Sequence, residues 1–192
     1  MSKQRETPTT AAGHRAVVVK LMRHTSHRHN LWDVFGDFIE CAALSLANAV
    51  DLRQREPREA RYHRIRERYT PEEFQAFPVM LAHIVEALEL EPGDVLGSIF
   101  GELELGNASR GQFFTPYSLC ELMAAMMVGD AAEAHDAIAT RGFVTVSEPA
   151  CGAGAMLIAM AMKLKSLGVD YQRTMHATAV DVDSRAVHMA FI

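Results

Sequence analysis

The stretch "SEPACGAGAML", residues 147–157, decides how this chain is read. An apolar run, "GFVTV" (142–146), leads into it, and a helix-like run, "AMLIAMAMKLK" (155–165), leads out. Between them lie an acid, a proline and two glycines two residues apart. Glycine lets backbone approach a ligand with no Cβ in the way, and Gly152 and Gly154 stand at such a strand-to-helix turn. Downstream, Gly168 is a natural helix stop, "HATAVDVD" (176–183) is a second strand, and "SRAVHMAFI" (184–192) opens another helix. A strand, a helix and a strand in this order predict a parallel, doubly wound α/β sheet, of which the chain holds the start.

Asp181 follows Gly154 by 27 residues, the length of a helix, a turn and a strand. An acid closing the second strand accepts hydrogen bonds from ribose hydroxyls, so turn and acid together fit a nucleoside-containing cofactor. A tight turn that binds nothing is the plain alternative. NAD sites favour a third glycine or alanine where this chain has Leu157. Glu148 in the turn would repel a pyrophosphate and tolerate a positively charged cofactor.

Upstream the texture is helical. Residues 1–13 are expected to be a flexible tail, and residues 14–105 a helical N-terminal domain. From Asn30 to about Val50, Leu31, Phe35, Phe38, Ala42 and Leu46 recur at helical spacing, with Asn30 and Asp33 resembling a capping box. "TPEE" (70–73) is a clearer start: Thr70 caps, Pro71 suits the first helical position and Glu73 reaches back. That helix should run to about Leu90 with a kink at Pro78. "EPG" (91–93) breaks it, and Asp94 can cap a short helix, "VLGSIFGELEL". Residues 106–192 are the expected cofactor-binding part. There "NASRGQFFTP" is an irregular linker, Thr115-Pro116 starts "PYSLCELMAAMMV", and a further helical piece spans about 131–140.

An apolar fraction of 49% suffices for a packed core. Three scattered cysteines, Cys41, Cys120 and Cys151, fit a reducing compartment better than a disulfide framework. No run approaches 18 apolar residues and the N-terminus lacks a secretory apolar core, so a cytoplasmic protein without a membrane partner is expected. The net charge of −5 is uneven: residues 1–69 carry +5 and residues 70–192 carry −10. Seven arginines crowd "RQREPREARYHRIRER" (53–68). Such a run can screen DNA phosphates, or it can be a solvated helix face laced with pairs such as Glu56–Arg53 and Glu59–Arg55.

"GQFFTP" (111–116), followed by "EPACGAGAML" (148–157) and "AVDVD" (179–183), resembles the adenine-N6 DNA methyltransferases, especially the modification subunits of type I restriction-modification systems. The likeness covers about residues 94–192, and the joint occurrence of the first two motifs is specific. It implies a Rossmann-like methyltransferase fold, S-adenosylmethionine as cofactor, DNA as substrate and a specificity or restriction subunit as a further partner. Glu148, Pro149, Ala150, Cys151, Gly152, Ala153 and Gly154 then match the cofactor loop. Asp181 matches the acid on the ribose and Asp183 the second acid of that motif. Gln112, Phe113, Phe114, Thr115 and Pro116 match the segment closing over the methionine end. A helix N-terminus behind Pro116 would seat a carboxylate. Phe113 and Phe114 fit packing and cofactor contact equally.

The family's catalytic run, Asn or Asp, then Pro-Pro, then Phe or Tyr, is absent: none of the seven prolines are adjacent. The expectation is the N-terminal part of a longer methyltransferase, or a short relative that keeps cofactor binding without catalysis. His24, His27 and His29 cluster without an acid or cysteine nearby to complete a metal set. Cys151 in the turn reads as small-residue packing rather than as a nucleophile.

Overall fold

Residues 7–105 and 114–192 are described by a computed structural model. They fall into two units, Met1–Val95 with Ile99–Leu105, and Leu96–Ser98 with Gly106–Ile192. In chain order the elements are α1 (Ala11–Thr25), α2 (Leu31–Val50), α3 (Arg55–Arg66), α4 (Pro71–Phe74), α5 (Ala76–Leu90), α6 (Val95–Glu102), α7 (Tyr117–Val128), α8 (Ala131–Arg141), β1 (Val144–Glu148), α9 (Ala155–Ser166), α10 (Tyr171–Thr174), β2 (Met175–Ala179) and α11 (Ser184–Phe191).

In the second unit the β-α-β reading holds as a two-stranded parallel sheet, with Val144 opposite Met175 and Glu148 opposite Ala179. Both strands are displaced from their expected bounds. Gly142, in the left-handed region at φ +82°, closes the C-terminus of α8, so "GFVTV" gives its first two residues to that stop and β1 runs on to Glu148. β2 ends at Ala179 rather than at 183, and the short helix α10 precedes it. The core beneath is built of small residues: Cys120 and Ala124 of α7 meet Ala155, Ala159 and Met160 of α9 and Val146 of β1. Ala-rich faces allow the close α7–α9 approach, while Gly168 at φ +78° follows the end of α9 as expected.

The first unit is helical throughout its described residues. α1 packs on α5, and α2 packs on α1, α3 and α5. Val18, Met22, Phe35, Phe38, Ile39, Ile65, Met80 and Ile84 form its fully buried centre. α1 starts at Ala11, inside the stretch expected to be a tail, because the Thr10 hydroxyl caps it by accepting the Gly13 N–H at 3.1 Å. Asn30 caps α2, but its side chain accepts the N–H of Trp32 rather than that of Asp33. The Thr70–Glu73 capping box is present. The kink expected at Pro78 falls at Gln75, between α4 and α5. A proline ring crowds the carbonyl four residues back, here that of Phe74, so the helix stops there and restarts with Pro78 in a first turn, where no N–H is needed.

The arginine run is tied into this unit by acids outside its own helix. Arg61 grips Glu40 through two bonds of 2.6 and 2.8 Å, and Arg58 donates to the carboxylate and carbonyl of Asp51 at 3.0 and 2.9 Å. Asp37, only 7% exposed, accepts from Arg68 at 2.9 and 3.1 Å and from the Tyr69 hydroxyl at 2.9 Å. The pairs expected within the run do not form; Glu59 turns to Asn48 and His63 instead of Arg55. Burial and the neighbouring Asp37 push the Tyr69 phenol up, keeping it a donor at any ordinary pH. The same acids, after burial itself, push the Cys41 thiol up to about 12.

Asp37→Ala should therefore leave the Tyr69 hydroxyl and the Arg68 guanidinium short of an acceptor. A buried donor stripped of its partner costs about 1–3 kcal/mol. Urea unfolding followed by the single tryptophan, Trp32, should report a loss in that range; an unchanged midpoint would mean that Asp37 does not hold α2 to the end of α3.

Candidate cofactor site

The turn after β1 is held by backbone before any side chain acts. Strand pairing continues one step past the sheet: the Val180 N–H donates to the Glu148 carbonyl and the Cys151 N–H to the Val180 carbonyl, each at 2.9 Å. The chain then turns through two residues with positive φ, Gly152 at +51° and Gly154 at +86°, and the Gly154 N–H closes the turn on the Cys151 carbonyl at 2.8 Å. Both glycines also sit in tight space. A Cβ on Gly152 would lie 3.0 Å from Cδ1 of Phe114, and one on Gly154 would lie 3.2 Å from Cα of Ala190 in α11. Phe114 and α11 thus pack directly against the turn.

Asp181 is the acid that reaches into this turn. Its Oδ2 accepts the Gly152 N–H at 3.0 Å, and its Oδ1 accepts the Asp183 N–H at 2.9 Å. The second bond makes an Asx turn, which is why β2 stops short of the alternating "VDVD". An ionised carboxylate offers about four acceptor sites, so two remain for hydroxyl donors. Glu148 accepts the Ala150 N–H through its side chain at 3.1 Å, one bond where Asp181 has two, and so keeps more spare capacity. Asp183 has a different place. It caps α11 by accepting the Arg185 N–H at 3.0 Å, and the Arg185 guanidinium pairs with it at 3.2 and 3.4 Å.

The remaining expected residues divide clearly. Gln112 and Phe113 lie outside the described residues. Phe114 is half-buried against Gly152, which meets the packing alternative without removing its ring from the turn. Thr115 and Pro116 are exposed, and the capping position of α7 belongs to Pro116 and not to Thr115; its carbonyl takes the N–H groups of Leu119 and Cys120. Pro149 and Ala150 are exposed on the turn. Cys151 is buried. Burial pushes its thiol up, and the charges of Asp181 and Glu148 add to the effect, so it stays protonated and is a packing group. Sequence reasoning did not find Val180 or Ala190. Val180 acts through its backbone, which side-chain identity does not report, and Ala190 matters only because it is small where α11 crosses Gly154.

Two carboxylates with unused lone pairs and a phenyl ring thus surround a glycine turn whose own N–H groups are largely engaged. That favours a ligand bearing hydroxyls and positive charge over an anion. Residues 93–191, just over half of the chain, match the family described as N-6 DNA methylase. The chain belongs to the N-6 DNA methylase family. The match spans Phe114, the glycine turn and both aspartates. Comparison with curated proteins and with solved structures returns no match. Membership carries methyltransfer to DNA adenine as the family activity.

Two outcomes follow from the geometry. Gly154→Ala combines a left-handed backbone with a clash against α11 and should cost the second unit about 1–2 kcal/mol from the backbone alone; amide exchange in α9 and α11 unchanged from the parent would refute this. In a variant lacking Cys41 and Cys120, Cys151 should react with iodoacetamide at pH 8 far more slowly than a free thiol. A raised pKa leaves less thiolate at that pH, and reactivity equal to a free thiol would contradict the buried, acid-flanked placement.

Proposed function

We propose that this N-6 DNA methylase binds S-adenosylmethionine at the Gly152 turn, within a Rossmann-like sheet that β1 and β2 begin. One observation carries the reading: Asp181 and Phe114 meet the same glycine, the first with a carboxylate oxygen 3.0 Å from its backbone nitrogen, the second with a ring carbon 3.0 Å from where its Cβ would be. The residues fit the group. Asp181 would take the ribose hydroxyls, Phe114 would border the methionine end, and Glu148 would lend negative charge near a cationic sulfonium or ammonium. When bound, the cofactor supplies an electrophilic methyl group. This chain's own residues bind, orient and hold that donor.

Transfer to adenine N6 also needs a flipped base and groups that polarise its amino nitrogen. The Asn-Pro-Pro-Phe-like run that does this in relatives does not occur in these residues. We therefore read the chain as a cofactor-binding portion that does not methylate DNA unaided. A cofactor- or DNA-binding relative without catalysis, acting beside restriction-modification partners such as a specificity or restriction subunit, is the second reading, favoured by the same absence.

DNA contact is assigned to the arginine run, and the ion pairs narrow it. Arg58, Arg61 and Arg68 already hold acids, whereas Arg53, Arg55, Arg64 and Arg66 are exposed and make no side-chain ion pair among the described residues. Residues 70–105 carry eight acids and no lysine or arginine, so most of the negative charge downstream of residue 69 belongs to the first unit and not to the methylase part, which is close to balanced. Repulsion of phosphate by the methylase part is correspondingly weak.

Calorimetry should show binding of S-adenosylmethionine or its demethylated product and none of NAD, with Asp181→Ala weakening the adenosyl complex by roughly 1–3 kcal/mol. NAD binding without adenosyl binding would overturn the proposal, and tritium transfer to mixed-sequence DNA would overturn the claim of inactivity. Replacing Arg53, Arg55, Arg64 and Arg66 by glutamine should lower DNA affinity and flatten its salt dependence with unchanged thermal stability. If that variant binds DNA like the parent, the run is a solvated face.

A further inference from the structure

His14 of α1 and His83 of α5 meet inside the first unit, Nδ1 to Nδ1 at 2.8 Å, with ring centroids 5.0 Å apart. His14 is 1% exposed, and its other nitrogen, Nε2, lies 2.8 Å from the carbonyl of Pro8. A carbonyl only accepts, so His14 Nε2 carries a hydrogen. In the neutral ring that leaves His14 Nδ1 as an acceptor, and the hydrogen between the rings belongs to His83 Nδ1. The relay therefore runs in one direction: His83 Nδ1–H to His14 Nδ1, then His14 Nε2–H to the Pro8 carbonyl.

Pro8 is also fixed from below. A Cβ on Gly13 would lie 3.0 Å from Cβ of Pro8, so the proline sits directly on the first turn of α1. Pro8 and His83 help line a groove of about 630 Å3 whose apolar wall is Val17, Leu21 and Val79. The imidazole relay ties Pro8 to this groove through its carbonyl.

We infer that the His14–His83 pair is an acid-sensitive tie between α1 and α5, anchored at its far end on the Pro8 carbonyl. Proton counting gives its limit. One added proton is accommodated at His83 Nε2, leaving the bridging hydrogen in place. A second puts N–H against N–H at 2.8 Å and must part the rings. The surrounding charges are Glu86 on α5, which favours protonation, and Lys20 and His24 on α1 beside the groove. Burial, then His14, hold His83 below the ordinary imidazole range. The sign follows: a depressed folded-state value contributes stability that is present above the ordinary imidazole pKa and is lost as pH falls through the depressed one.

Long-range proton–nitrogen spectra of the whole chain test this at neutral pH, where His14 should be the Nε2–H tautomer and His83 the rarer Nδ1–H tautomer. Finding both as Nε2–H overturns the relay outright. On acidification, the through-space contact between the His14 and His83 rings should vanish once both rings are protonated, while far-UV circular dichroism still shows the helices. His83→Asn keeps a donor for His14 Nδ1, takes no proton and can turn its carbonyl to a protonated ring, so there the contact between residue 83 and the His14 ring should persist to lower pH. Loss of the contact at the same pH in parent and variant would overturn the tie.

Discussion

The bond from the Gly152 N–H to the Asp181 carboxylate joins the two ends of the β-α-β unit, and the placement of the candidate site depends on it. One carboxylate performs three tasks. It pins the turn after β1, it ends β2 by closing an Asx turn on Asp183, and it keeps acceptor capacity directed at the space beside the turn. The glycines make this possible: a side chain at residue 152 would need the space of Phe114, and one at residue 154 that of Ala190. Binding chemistry and chain reversal are therefore met by the same few atoms, and a substitution here cannot disturb one without the other.

The first unit solves a different problem, that of seven arginines in sixteen residues. Left alone, such a run repels itself. Asp37 and Glu40, one helical turn apart on α2, and Asp51 just beyond it take three of the guanidinium groups, and Arg58 and Arg61 do so through two nitrogens each, which lysine would not reproduce. These pairs are half-buried, so each is worth more as an orienting device between α2 and α3 than as net stabilisation. The division also separates roles within one sequence run. Arginines facing α2 fix the fold, and those facing solvent are left to interact with whatever carries negative charge.

β2 has an uncommon character for a parallel strand. Such strands are ordinarily covered on both faces, yet His176 to Ala179 are exposed, as are Val180 and Val182 beyond them. α7 is similar. Its inner face of Cys120 and Ala124 meets α9, while Leu119, Leu122, Met123, Met126 and Met127 form an exposed stripe at helical spacing. The apolar residues of α7 thus lie on two faces, of which the one against α9 is packed.

What the sequence disclosed was whatever is encoded locally. The Thr70 box, the Gly168 stop, the parallel β-α-β order and the pairing of the glycine turn with Asp181 each rest on residues whose effect extends over a turn or along a motif. Strand limits were less legible because they are set by competition: Gly142 was claimed by α8, and Asp181 cut β2 short through its own side chain. α1 was hidden behind "AVVVK", whose β-branched residues weaken a helical signal that packing on α5 restores. The ion pairs of Arg61 and Arg68 and the His14–His83 relay were beyond reach for a further reason. Histidines 69 residues apart meet only if α1 and α5 pack in one register, and a slip of a single residue would turn either ring by about 100° around its helix. That register is fixed by the buried Val18, Met22, Met80 and Ile84, so the polar contact is a consequence of apolar packing and carries no local signature of its own.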